Sequence, residues 1–141
     1  MTLVLDVGDQ QAAALQVGQH RFELAVEGEI RFGPVYCTMS AGTLNLGDRI
    51  FGSKALISDS GRYVLAEEWH TIREADGPLI GLVLLDLEGR RATTLRTRRG
   101  FFELVELDDS HAVYRHGVAE TTTHIDRVDD WADCGYMLMR Y

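Results

Sequence analysis

The sequence predicts a mostly β fold: an antiparallel meander of about ten short strands forming a sandwich or strongly bent sheet, with at most one or two short helical turns. Two observations carry this expectation. Turn-forming clusters recur at "VGDQ" (7–10), "LGDR" (46–49), "SDSG" (58–61), "ADGP" (75–78), "LEGR" (87–90) and "LDDS" (107–110). Short runs rich in Val, Ile, Leu, Phe and Tyr lie between them, at the spacing of strands joined by hairpins. Composition agrees: 14 Gly and only 2 Pro suit a chain full of tight turns that must still donate backbone hydrogen bonds along sheet ladders.

Thr2–Val7 is the first expected strand. "DQQAAALQVGQ" (9–19) carries good helix formers behind an Asp able to cap, and is one candidate helical turn. In His20–Val26 the residues Phe22, Leu24 and Val26 alternate with Arg21, Glu23 and Ala25, which marks a half-buried strand with one wet face. Strands are expected next at Glu29–Tyr36, Lys54–Ile57 and Arg62–Trp69. Leu79–Leu87, "LIGLVLLDL", hardly alternates, so it is expected at the centre, covered on both faces. Arg91–Thr97, Phe101–Leu107 and Ala112–His116 follow. "TTTHI" (121–125) is β-branched but polar, which suits an edge strand. "DRVDDWADCGYMLM" (126–139) suggests one helical turn before a last strand. No linker or charge block divides residues 1–141, so one domain is expected; at this size roughly 68–70% of the unfolded surface can be buried.

Residues 58–116 also carry "SDSGRYVLAEEW", then "LIGLVLLDLEGRRATTLR", then "GFFELVELDDSHAVYRH". Ser58, Asp59, Gly61, Arg62, Tyr63 and Ala66, followed by the Asp86, Leu87, Gly89 and Arg90 turn, resemble the blade of a β-propeller of the WD40 or TolB type. A weaker echo runs from Leu107 to Ala112. A propeller needs about four or more blades of roughly 40 residues each, more than 141 residues supply. The resemblance therefore implies a propeller-like meander within an open sheet or sandwich. It implies no activity, because propellers host both enzymes and scaffolds.

Net charge is −8 and the isoelectric point is near 5.0. An acidic surface repels phosphate backbones and favours a basic protein partner, so no nucleic acid is expected. The longest apolar run, near "PLIGLVLL", is far short of a membrane span, and no secretory leader is expected from "MTLVLDVGDQ". Cys37 and Cys134 lie far apart and form no metal motif; reduced thiols in a cytoplasmic protein are expected, with a single bridge left open.

"GDRIFGSK" (47–54) has P-loop glycine spacing but reverses the Lys and Ser, and no helix follows, so a glycine-rich hairpin connection is expected. "EEWH" (67–70) places Glu68 and His70 on one strand face and Glu67 and Trp69 on the other. "HID" (124–126) adds His124 and Asp126. A metal or acid–base site would need Glu68, His70, His124 and Asp126 to meet. "LDDSHAV" holds triad residue types as direct neighbours, which a strand points to opposite faces, and so reads as a polar turn. "RTRRG", with Arg90 and Arg91 nearby, is a small basic island, expected as a solvated hairpin between "TTLR" and "FFEL", with an anionic ligand or the chain's own carboxylates as the alternative partners. "DDWADCGY" (129–136) surrounds Trp131 with Asp129, Asp130 and Asp133. It reads first as a capped helical turn whose Trp plugs the core, with acids favouring the dipole at its N-terminus, and otherwise as a contact for a basic partner, because Trp anchors interfaces and charge steers them.

No catalytic or cofactor motif emerges. The expectation is a non-catalytic protein-binding domain, analogous in size, charge and motif poverty to bacterial immunity proteins that neutralise a toxin. Its contact surface would use Glu67, Glu68, Trp69, Asp129, Asp130, Trp131 and Asp133. A metal-dependent or acid–base enzyme, and a self-associating structural domain, are the alternatives.

Overall fold

The computed structural model describes residues 2–30, 34–44, 46–72 and 78–133. Within them the chain forms twelve strands and one 3-10 turn, with no α-helix. Strands β1 (Thr2–Asp6), β2 (Ala12–Val17), β3 (His20–Glu29), β4 (Val35–Ala41), β5 (Phe51–Ser58), β6 (Tyr63–Trp69), β7 (Leu79–Asp86) and β8 (Arg91–Arg99) build one sheet with the short β12 (Ala132–Asp133). Its order is β12-β8-β7-β6-β5-β4-β3-β2, with β1 paired to β5. Strands β9 (Glu103–Leu107), β10 (His111–His116) and β11 (Ala119–His124) form a second sheet, in the order β11-β10-β9. Every pairing is antiparallel.

The large sheet bends at β5. Phe51 and Ala55 are four residues apart, yet their partners Glu68 and Ala66 are two apart. The surplus residues form a bulge, which turns a strand and adds twist. Strand β4 meets β5 only at Cys37↔Phe51; beyond that point β1 takes its place, pairing Asp6↔Lys54 through Thr2↔Ser58. Strands β2 to β4 thus curl back over β5 to β7. The first core fills that bend, with Leu5, Val17, Phe22, Leu24, Phe51 and Ile57 among its buried members. The second sheet packs on the opposite face of β5 to β7 and closes a second core around Leu56, Leu65, Ile80, Leu82, Leu84 and Leu107. Thr2 stitches the two sheets together: its hydroxyl accepts from Leu107 N and donates to Leu107 O, both at 2.9 Å.

Lying between two cores explains why β7 is apolar on successive residues: Leu82 and Leu84 face the second core, Val83 and Leu85 the first. The blade-like motif residues make turns. Ser58 Oγ accepts from Tyr63 N at 3.0 Å, and Gly61 takes φ +78° in the left-handed region. Asp86 is fully buried and receives Arg62 at 3.0 and 3.3 Å, Arg91 Nε at 2.8 Å and Gly89 N at 3.1 Å. Burial alone would raise its pKa; the hydrogen bonds from Arg62 and Arg91 outweigh it and hold the carboxylate below its ordinary range.

Three local expectations change. Residues 12–17 are strand β2, not helix: Gly8 and Gly18 bracket them in left-handed turns, and Ala13, Leu15 and Val17 turn inward against β3 while Ala12, Ala14 and Gln16 stay exposed. Tertiary pairing overrides the helix propensity of the alanines. The expected strand Glu29–Tyr36 is divided instead between the end of β3 and the start of β4, with 31–33 outside the described residues. The helical turn expected after Asp126 is the 3-10 turn Ile125–Arg127, followed by β12; Cys134 and the expected last strand lie outside the described residues. No helix of the described residues is long and apolar enough to cross a membrane.

Candidate functional site

Strand β6 carries chemistry at both ends of its second-core face. Tyr63 and Trp69 are six residues apart on that face, about 20 Å at the usual strand rise.

At the Trp69 end the alternation expected of "EEWH" holds, but the residues turn inward. Trp69 is 5% exposed and packs between Tyr36 and Phe101, with ring centroids 5.7 and 5.6 Å away. Its buried Nε1 has no hydrogen-bond partner among the described residues. Glu67 lies on the same face, and its Oε2 accepts from Phe102 N at 2.9 Å. A Cβ added at Gly52 would stand 3.5 Å from both Glu67 Oε1 and Trp69 Nε1, so the glycine leaves the space into which both groups point. Burial pushes the Glu67 carboxyl up to about 7, opposed in part by the Phe102 N–H and the charge of Lys54. On the other face Glu68 is buried in a two-pronged ion pair with Arg49, whose Nη2 is 2.9 Å from Oε1. Glu68 and Trp69 are therefore interior residues, not the contact surface expected of them.

At the Tyr63 end the turn of β9–β10 and the 3-10 turn leave a cleft of about 380 Å³. Tyr63 and Ile125 give it apolar walls, and Arg91, Asp109, His124 and Asp126 give it charge and polarity. Tyr63 is 5% exposed; burial, then the charge of Asp86, raises the pKa of its phenol. Beside the cleft, the Arg91 guanidinium lies 4.2 Å over the Trp131 ring. Trp131 is half-buried, while Asp126, Asp129, Asp130 and Asp133 are exposed. Asp130 also accepts from Thr93 Oγ1 at 2.8 Å, which helps fix the segment against β8.

The four residues of the metal alternative do not converge. His124 and Asp126 border the cleft, whereas Glu68 and His70 lie at the far end of β6, with Glu68 already committed to Arg49. A different trio, Glu106, Asp108 and His111, brings ligand atoms within 4.8 Å of one another. Its geometry is that of a turn. Asp108 Oδ1 accepts from Ser110 N, Ser110 Oγ and His111 N, each at 2.8 Å, and the His111 ring presents different nitrogens to Asp108 and Glu106. This is the polar turn that "LDDSHAV" predicts. His116 points to the other face of β10, its ring 5.6 Å from Phe102. "GDRIFGSK" runs into β5, as a hairpin connection should. Burial, helped by Asp6 and Glu27, pushes the Cys37 thiol to about 11, too high for a nucleophile near neutrality.

The cleft as a unit was not foreseen. Its residues come from the starts of β6 and β8, the β9–β10 turn and the end of β11, and no local spacing announces that they meet. Comparisons of the chain with protein-family profiles, with curated proteins and with solved structures give no match.

Proposed function

We propose that this chain is a non-catalytic binding domain that engages a basic partner protein through the acidic face beside the cleft. One observation carries the reading: Trp131 is held half-buried on Arg91 while Asp126, Asp129, Asp130 and Asp133 stand exposed around it. A positioned aromatic supplies contact area at little entropic cost, and the surrounding acids attract and orient a positive surface. The net charge of −8 extends that attraction over the molecule. A small acidic domain of this kind suits an immunity-type inhibitor that occludes a basic toxin or enzyme, working in the cytoplasm, where a buried thiol such as Cys37 stays reduced.

The test is recovery of a stoichiometric basic protein with the tagged chain from its native cells, across a salt series, for wild type and for Asp129→Lys with Asp130→Lys. The reading expects a partner that leaves as ionic strength rises and is lost from the reversed variant. Equal recovery by both chains removes this face from the account.

A further inference from the structure

The cleft at the Tyr63 end of β6 narrows what the partner presents. Its volume, about 380 Å³, is at the lower end of the roughly 300–1,000 Å³ of ligand pockets. The charges around it do not cancel. Arg62 and Arg91 are answered by Asp86, which both contact, and by Glu88, 3.1 Å from Arg62. Two carboxylates are left over. Asp109 Oδ1 accepts from Ser60 Oγ at 2.6 Å, a neutral donor that leaves its charge in place. Asp126 is exposed and in no ion pair among the described residues. Between them stands Tyr63, nineteen-twentieths buried, with the Arg62 guanidinium 4.9 Å over its ring and its hydroxyl in no hydrogen bond among the described residues. Ile125, 4% exposed, completes an apolar wall.

We infer that this cleft is the socket for one basic side chain of the partner: its guanidinium or ammonium group lies against Asp109 and Asp126, the Tyr63 hydroxyl accepts from it, and its methylene stem lies along the edges of Tyr63 and Ile125 that line the cleft. Long basic side chains bury their stems on apolar surface in this way while the charged head keeps polar company. Two carboxylates that converge on one guanidinium make charge-assisted hydrogen bonds, which are stronger than neutral ones. The inference rests on the reading of the chain as a binder of a basic protein, and it adds the chemistry of the anchor.

The probe is the amide of N-acetyl-arginine, titrated into the isolated chain while NMR shifts are followed, with the isosteric and neutral citrulline amide as control. A single side chain should bind in the millimolar range. Saturating shifts are expected at Tyr63, Ser110, His124 and Ile125, with the citrulline amide silent. Asp126→Asn should weaken the arginine amide roughly tenfold, as loss of a charge-assisted bond does. Tyr63→Phe, which keeps the ring and the fold, should weaken it less. Absence of saturable shifts, an equal response to the citrulline amide, or unchanged binding in Asp126→Asn overturns the inference. Asp129 and Asp130 lie outside the cleft lining, so loss of the partner on their reversal, with no arginine binding here, would sink the socket alone and leave the broader reading standing.

Discussion

At its Trp69 end, β6 buries a carboxyl and an indole under Tyr36 and Phe101; at its Tyr63 end, the same face of the same strand opens into a charged cleft. The difference lies in what covers each end. The β8–β9 connection places Phe101 on Trp69 and gives Glu67 a single backbone donor. The carboxyl is left short of charge partners and holds its proton more tightly. At the other end, Asp86 is fully buried where Glu67 is half-buried, yet it receives two guanidinium groups and keeps its charge. Burial alone therefore does not set the state of an acid in this fold; the donors that reach it do. The first end encloses an indole N–H without a partner among the described residues and a carboxyl with one backbone donor; the second leaves the carboxylates of Asp109 and Asp126 open to solvent.

Four substitutions bear on that contrast. The largest effect is expected from Trp69→Ala, which empties a fully packed aromatic site and should cost about 3–5 kcal/mol, read as a fall in the urea midpoint. Asp86→Ala comes next, at about 3 kcal/mol, because it strands two arginines at the root of the cleft. A loss no larger than that of an exposed substitution would show that the Asp86 turn does not hold the Tyr63 end together.

Glu67 gives a pH signature. Its folded value of about 7 lies above the ordinary 4.5, so the folded chain binds the proton more tightly than the unfolded chain. The stabilisation it contributes is complete below about pH 4.5 and is lost as pH rises through 7, on the order of 2–3 kcal/mol in all. Glu67→Gln should remove that slope from the stability profile. A wild-type minus variant difference that is flat from pH 4.5 to 7 would contradict the burial assigned to this acid. The smallest stability effect belongs to Tyr63→Phe, within about 0.5 kcal/mol, since its hydroxyl makes no hydrogen bond among the described residues and Tyr63 lines the cleft. A much larger loss would mean that the hydroxyl serves the fold.

Much of the architecture is legible in the sequence because strands and turns are local patterns. "RFELAV" alternates, "LIGLVLLDL" does not, and each lands where that difference puts it, on a half-wet strand and on β7, an interior strand covered on both faces though nearer one edge of the sheet than its centre. The alanine run of β2 misleads because its propensity is helical, while its fate is set by pairing with β3 across Gly18. The site is less legible. Alternation correctly puts Glu67 and Trp69 on one face but cannot say that Phe101, more than thirty residues on, will cover them. Trp131 packs half-buried against the second core while Asp129 and Asp130 stay exposed, and that setting depends on Arg91 and Thr93 in β8. Contacts of that range leave no spacing for a reader to find.

The binding reading stands or falls most directly on the association rate with the recovered partner, measured against ionic strength for wild type and for Asp129→Lys with Asp130→Lys. The account predicts fast, salt-sensitive association for wild type, and for the reversed chain a rate at least roughly tenfold lower at low salt with a flattened dependence. Matching rates and matching slopes for the two chains would contradict it.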